Sequence, residues 1–261
     1  MRLATTRLST GPRIHYAAHG EDDGAPVVFL HGWPDSGFSF SRVMPLLPAR
    51  LRAFAPDQRG FGDSERPERG YRVRDFGEDA AAFLDALRIE RASVVGHSFG
   101  SFVARRFALA HPERVDRLVL IGSALSAANP VTAEVRASLA DLVDPLPLKF
   151  VRDFQSGTAH VPLPETFFER IVQESFKAPA RVWRDVFEDL LRYDDAADLS
   201  RLAAPTLLIW GERDALFSRA GHDALAAAIP GVRVEVYRDT GHCPNWERPE
   251  RVAASLEAFL S

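Results

Sequence analysis

Apolar residues in this chain fall into short unbroken runs, separated by longer stretches in which they recur every three or four positions. The first two segments depart from that rhythm. Residues 3–9 and 13–18 alternate apolar and polar side chains around Thr10-Gly11-Pro12, and so predict an opening β-hairpin. Six runs follow, at residues 26–30, 51–56, 92–96, 118–121, 206–210 and 232–237. Most are rich in Val, Leu and Ile without alternation, as strands buried on both faces are. Between them the period changes to that of a helix. At residues 75–87, Phe76, Ala80, Phe83, Leu84 and Leu87 share one helical face, and residues 99–110, 218–229 and 249–260 also predict helices. Strands alternating with helices imply a doubly wound, mostly parallel sheet with right-handed crossovers, an α/β fold.

One region breaks the alternation. Residues 124–199 contain no strand-like run, and Pro130, Pro145, Pro147, Pro162, Pro164 and Pro179 cut their helical sequence into short pieces. Roughly 75 residues exceeds any ordinary connection, so this stretch predicts a helical insertion between the strands ending near Gly122 and starting at Thr206. The expected organisation is a core of residues 1–123 and 200–261 with the insertion at 124–199.

Composition narrows the function class by exclusion. The chain has 261 residues, 46% hydrophobic and 26% charged, the balance of a soluble globular protein. Its net charge is −4 and its basic residues are scattered, which speaks against nucleic acid or an anionic membrane surface as a partner. No run approaches the roughly 18 apolar residues of a membrane span. The N-terminus lacks a basic region followed by an apolar one, so no signal peptide is expected. Cys243 is the single cysteine, which rules out an intramolecular disulfide and fits a reducing, cytoplasmic setting. No metal-ligand cluster or glycine-rich phosphate loop is present, so no metal and no cofactor are expected, and the partner should be a small-molecule substrate.

The candidate chemistry begins at Gly96-His97-Ser98-Phe99-Gly100, which follows the run Ser93-Val94-Val95 and opens the helical stretch at 99–110. A serine on a sharp strand-to-helix turn flanked by glycines is the nucleophile-elbow arrangement. Glycine at both flanks allows the close strand–helix approach, and the helix N-terminus places a positive dipole end near a developing oxyanion. A serine hydroxyl also needs a base, and the base an orienting acid, in the chain order serine, acid, histidine. Leu207-Leu208-Ile209-Trp210 leads into Gly211-Glu212-Arg213-Asp214, and Val234-Glu235-Val236-Tyr237 leads to Thr240-Gly241-His242. Ends of strands on one sheet edge are where open α/β sheets place their sites. Asp214 is therefore the expected acid, with Glu212 and Asp239 as competitors, and His242 the expected base. One oxyanion donor should be the backbone N–H of Phe99. The other should come from His31-Gly32-Trp33-Pro34-Asp35, where Pro34 has no N–H to give; of Gly32 and Trp33, Trp33 is preferred. His31 and His97 are expected to brace their loops.

Together with Asp57-Gln58-Arg59-Gly60-Phe61-Gly62-Asp63-Ser64, these segments resemble the α/β-hydrolase superfamily in content and order along nearly the whole chain. The resemblance implies an eight-stranded sheet, Trp33 and Phe99 as oxyanion donors, and residues 124–199 as a cap over the active site. It also makes Asp57 and Arg59 parts of a structural turn. The segment from His31 to Asp35 looks like the epoxide hydrolase and haloalkane dehalogenase branch. Those enzymes use an aspartate nucleophile where this chain has Ser98, and the epoxide hydrolases use cap tyrosines where this insertion has Tyr193 alone. Serine forms an acyl-enzyme from a carbonyl substrate, so the expected reaction is hydrolysis of a carboxylic ester or lactone of small to medium apolar character. A C–C bond hydrolase of a ring-fission product and a slow-turnover ligand receptor are the alternatives within the fold. Residues 146–191 are rich in aromatics, and Phe150, Phe154, Phe167, Phe168, Trp183 and Phe187 are candidates for the substrate pocket.

Overall fold

A computed structural model describes residues 1–261. Strands β1 (Arg2–Arg7) and β2 (Arg13–His19) form the opening hairpin. They are followed by β3 (Ala25–Leu30), β4 (Leu51–Pro56), α1 (Val73–Ala86), β5 (Ala92–His97), α2 (Phe99–Ala110) and β6 (Val115–Ile121). Four helices come next: α3 (Pro130–Leu139), α4 (Leu148–Thr158), α5 (Glu165–Phe176) and α6 (Ala180–Arg192). The chain closes with β7 (Thr206–Gly211), α7 (Arg219–Ala228), β8 (Arg233–Tyr237), α8 (Pro244–Glu247) and α9 (Pro249–Leu260). The eight strands make one sheet in the order β1-β2-β4-β3-β5-β6-β7-β8. All neighbours from β4 to β8 pair in parallel, and β2 runs antiparallel to both β1 and β4.

Strand alternation builds the two faces. Val28 and Leu30 pack with α1, α2 and the helices of the insertion, whereas Val27 and Phe29 pack with α9 and with Phe40, Val43 and Met44. Because both faces are covered, the central strands read as continuous apolar runs. No helix is long and apolar enough to cross a membrane.

Prolines delimit the insertion's helices as the chemistry of helix starts requires. Pro130 is the first residue of α3, and Pro147, Pro164 and Pro179 immediately precede α4, α5 and α6. Both roots of the insertion are tied to α2 by one buried side chain. Arg105 donates to the Ala124 carbonyl at 2.8 Å, just after β6, and to Asp195 at 3.0 Å, just after α6. Neither partner of this ion pair is exposed by more than 4%.

Candidate active site

The sheet brings loops after β3, β5, β7 and β8 to its C-terminal edge. After β5 the chain turns sharply at Ser98, which adopts φ 50° and ψ −121°, and re-enters a helix at once. A non-glycine residue there is strained and persists because its surroundings hold it. The Ser98 N–H donates to the Ile121 carbonyl at 2.9 Å, and the Ser101 hydroxyl donates to the Ser98 carbonyl at 2.5 Å. Glycines flank the turn for a steric reason. A Cβ at Gly96 would overlap the Gly100 carbonyl oxygen, and one at Gly100 would overlap that of Leu30.

Ser98, His242 and Asp214 lie in one hydrogen-bonded chain. Ser98 Oγ is 2.8 Å from His242 Nε2, and His242 Nδ1 is 2.8 Å from Asp214 Oδ2. The carboxylate can only accept, so Nδ1 carries the proton and Nε2 accepts from the serine hydroxyl. Asp214 is held from its other side, where Oδ1 accepts from the backbone N–H groups of Leu216 and Phe217 at 2.8 and 2.9 Å. The competing acids are not in this chain. Glu212 Oε2 accepts weakly from the Asp239 backbone, and the Asp239 carboxylate faces Arg213 across 3.8 Å with 72% of its side chain exposed.

The neighbouring histidines are fixed as braces. His31 Nδ1–H donates to the Gly32 carbonyl at 2.8 Å, and its Nε2 accepts from the Gln58 N–H at 2.9 Å. His97 Nε2–H donates to the His242 carbonyl at 3.1 Å. Burial pushes them down to about 4 and about 3 respectively, so both stay neutral and cannot serve as acids near neutral pH. Asp57 accepts from His15 and from the N–H groups of Gly37 and Asp63, while Arg59 pairs with Asp79. That turn shapes the loop without reaching the cavity. His15, Asp57 and Asp63 place their ligand atoms close together, but Asp57 is already occupied by these donors and Asp63 by Lys177.

The Trp33 N–H has no acceptor in the protein, and the Phe99 N–H, first in α2, has no intrahelical one. The Gly32 N–H is equally free. Trp33 also links the core to the insertion, because its Nε1–H donates to the Trp183 carbonyl at 3.1 Å.

A cavity of about 30 Å³ opens over Ser98 and His242, walled by the strand-end loops and by α3, α4 and α6. Of the candidate pocket aromatics, Phe154 and Phe187 line it, as does Trp33. The other four candidates do not. Trp183 is fully buried one layer back, stacked edge-on against Trp33 at 5.0 Å and against Phe154 at 5.9 Å. Phe150 packs on that same Trp183, Phe167 packs between Phe38 and Trp246, and Phe168 faces an outer cleft beside His160. Residues to which the sequence assigned no pocket role complete the wall: Asp35, Gln155 and Thr158 on the polar side, Leu190, Phe217 and Trp246 on the apolar side. Thr158, the last residue of α4, also accepts the His242 N–H at 3.0 Å, so α4 helps hold His242 in place. Asp35 lay in the motif after β3, and its meaning becomes visible only once Gln155 is placed against it.

A family model described as alpha/beta hydrolase fold matches residues 25–249. A 2-hydroxymuconate semialdehyde hydrolase of Pseudomonas putida is 33% identical over 275 aligned residues, covering 97% of this chain and 92% of its own. Among solved structures, a hydrolase from Pseudomonas aeruginosa superposes with a TM-score of 0.88 at 25% identity, covering 100% of this chain and 98% of that one. An esterase from Exiguobacterium antarcticum also reaches 0.88, at 22% identity over 98% of each chain, a likeness of fold.

Proposed function

The chain belongs to the α/β-hydrolase family, and from that premise we propose that it hydrolyses a carboxylic ester or lactone through an acyl-enzyme on Ser98. The observation that carries this reading is the unbroken hydrogen-bonded chain from Ser98 through His242 to Asp214 at the floor of an enclosed cavity.

In this mechanism His242 Nε2 takes the Ser98 proton as Oγ attacks the substrate carbonyl carbon. Asp214 holds the imidazole tautomer and stabilises the imidazolium that forms. The N–H groups of Trp33 and Phe99 receive the tetrahedral oxyanion. Collapse expels the alcohol, which takes the proton from His242. Water then attacks the acyl group, its proton passing to His242, and the acid leaves as Ser98 Oγ regains the proton. Residues 124–199 act as the cap. A cavity of about 30 Å³ holds about two waters, so admitting an ester requires the side chains that wall it to give way.

The relatives favour a second reading, C–C bond cleavage, since the Pseudomonas putida protein is named for a ring-fission product. A dienoate carboxylate would need a cationic clamp. The cavity wall contains no Arg or Lys and does contain Asp35, which when ionised would repel an anion. That wall supports the ester or lactone. The test is Ser98→Ala together with a serine-directed fluorophosphonate. The parent should be labelled on Ser98 and lose its esterase activity, and the folded variant should be inert to both. Labelling elsewhere, or retention of more than a few per cent of turnover, overturns the assignment.

A further inference from the structure

Asp35 is a carboxylic acid buried in an otherwise largely apolar cavity, and the acyl-transfer chemistry described above makes no use of it. It is 2% exposed, and no arginine or lysine lines the cavity beside it. Its Oδ1 accepts from Gln155 Nε2 of α4 at 2.9 Å, and that same nitrogen donates to Ser175 of α5 at 2.7 Å. Its Oδ2 is poorly served. The Ser39 hydroxyl reaches it at a long 3.3 Å, while that hydroxyl already accepts from Trp246 Nε1 and Asn245 Nδ2. A carboxylate offers about four lone-pair positions, and two donors here leave capacity unused. A buried carboxyl with lone pairs unfilled is costly, and a donor brought by a ligand would relieve that cost.

The weakly served oxygen lies near the nucleophile. A carbon added at Gly32 would lie 3.2 Å from Ser98 Cβ and 3.3 Å from Asp35 Oδ2. Ser98 Cβ and Asp35 Oδ2 thus lie within 3.3 Å of one point beside Gly32, and both residues line the cavity. The first carbons of an acyl chain attached to Ser98 would therefore form within reach of Asp35.

We propose that Asp35, held in place by Gln155, accepts a hydrogen bond from a hydroxyl on the α- or β-carbon of the acyl group, which makes hydroxyacyl esters the favoured substrates. This inference rests on the reading of Ser98 as the nucleophile. A hydroxyl suits the pocket better than its rivals. An anionic substituent would meet a like charge. An ammonium would have to shed its water in an enclosed cavity, whereas the donors Asp35 already accepts, an amide and a hydroxyl, are neutral. A latch between cap and core would use Oδ1 alone and leaves Oδ2 with only the long contact to Ser39.

Burial pushes the Asp35 carboxyl up to about 7. Around it, His97 at the end of β5 and His31 on its own loop stay neutral, and burial drives the Cys243 thiol well up. His242 is the remaining titratable neighbour, and it acts on every ester alike. A ratio between two esters therefore cancels the base and isolates Asp35.

The experiment compares the kcat/KM values of p-nitrophenyl 3-hydroxybutyrate, each enantiomer, with that of p-nitrophenyl 3-methylbutyrate, in which a methyl replaces the hydroxyl at similar volume. The parent should prefer one hydroxy enantiomer by about 10- to 100-fold, the scale of a hydrogen bond to a charged group. The ratio should rise with pH across about 7 as the carboxyl ionises. Asp35→Asn can keep the Gln155 latch through its amide oxygen and should abolish the pH dependence of the ratio. Asp35→Leu should remove the preference. Should either variant fail to fold, the ratio in the parent, followed against pH, decides the matter. A ratio near one at every pH, or a preference unchanged in Asp35→Leu, overturns the proposal. If both esters turn over equally and Ser98→Ala abolishes both, the anchor is wrong and the nucleophile stands. If neither is hydrolysed, the Ser98 reading itself has failed.

Discussion

Replacing Asp214 by asparagine changes one atom of the buried chain, and the structure dictates which way the new side chain turns. Asp214 Oδ1 is pinned by the N–H groups of Leu216 and Phe217, which an amide nitrogen cannot accept. The asparagine carbonyl oxygen must therefore take the Oδ1 position, leaving the NH₂ group to face His242 Nδ1. Two donors cannot share a proton, so Nδ1 gives up its hydrogen and Nε2 becomes protonated. It then meets the Ser98 hydroxyl as a donor and cannot take the serine proton. A folded enzyme with the wrong tautomer loses about 10⁴ in kcat, or about 5.4 kcal/mol of transition-state stabilisation. The assay is steady-state hydrolysis of p-nitrophenyl butyrate, with thermal unfolding to show that the variant is intact. Asp239→Asn is the control. Its side chain lies in solvent and touches only Arg213, so its activity should stay within about twofold. A small effect of Asp214→Asn beside a large one of Asp239→Asn would refute the reasoning and move the acid to Asp239.

Three further outcomes follow from the packing. Phe154→Ala, on the cavity wall, should alter the butyrate-to-octanoate ratio of kcat/KM, whereas Trp183→Ala, one layer back, should lower stability by about 3–5 kcal/mol in urea and leave that ratio in place. Arg105→Met leaves Asp195 buried without its cation and should cost about 3–5 kcal/mol, while Arg105→Met with Asp195→Leu should recover most of it; urea titration of the pair decides. The folded carboxyl of Asp35 titrates near 7 and the unfolded one near 3.9, so between those values the folded state binds the extra proton and loses stability as pH rises. Asp35→Asn should therefore gain on its parent from about pH 4 to 7 and hold a constant margin above, a trend read from melting temperatures at each pH.

The strands and the three residues of the hydrogen-bonded chain were legible because each rests on local pattern. Buried parallel strands show as apolar runs, and Ser98, Asp214 and His242 sit just past the ends of three of them, where the parallel order carries all three to one edge. The eight-strand sheet likewise matches the expectation from resemblance, which also supplied its number. The wall of the cavity was not legible. Aromatic content at 146–191 shows that something must be buried, but which ring reaches Ser98 depends on how α4 and α6 dock on Trp33. Trp183 and Phe187 are one helical turn apart on α6, yet only Phe187 reaches the cavity. Asp35 was hidden for the same reason, since its significance lies in a contact with Gln155, 120 positions away in sequence.

The most direct test of the central claim is a single panel of kcat/KM values measured on the purified protein. It comprises a p-nitrophenyl ester, a γ- or δ-lactone and 2-hydroxymuconate semialdehyde, each repeated with Ser98→Ala. A cavity that holds Asp35 and no cation predicts that the ester or lactone is turned over efficiently, that the dienoate is not, and that every activity vanishes with the serine. Efficient cleavage of the dienoate beside feeble turnover of the ester and lactone would contradict it, and would make the molecule a C–C hydrolase.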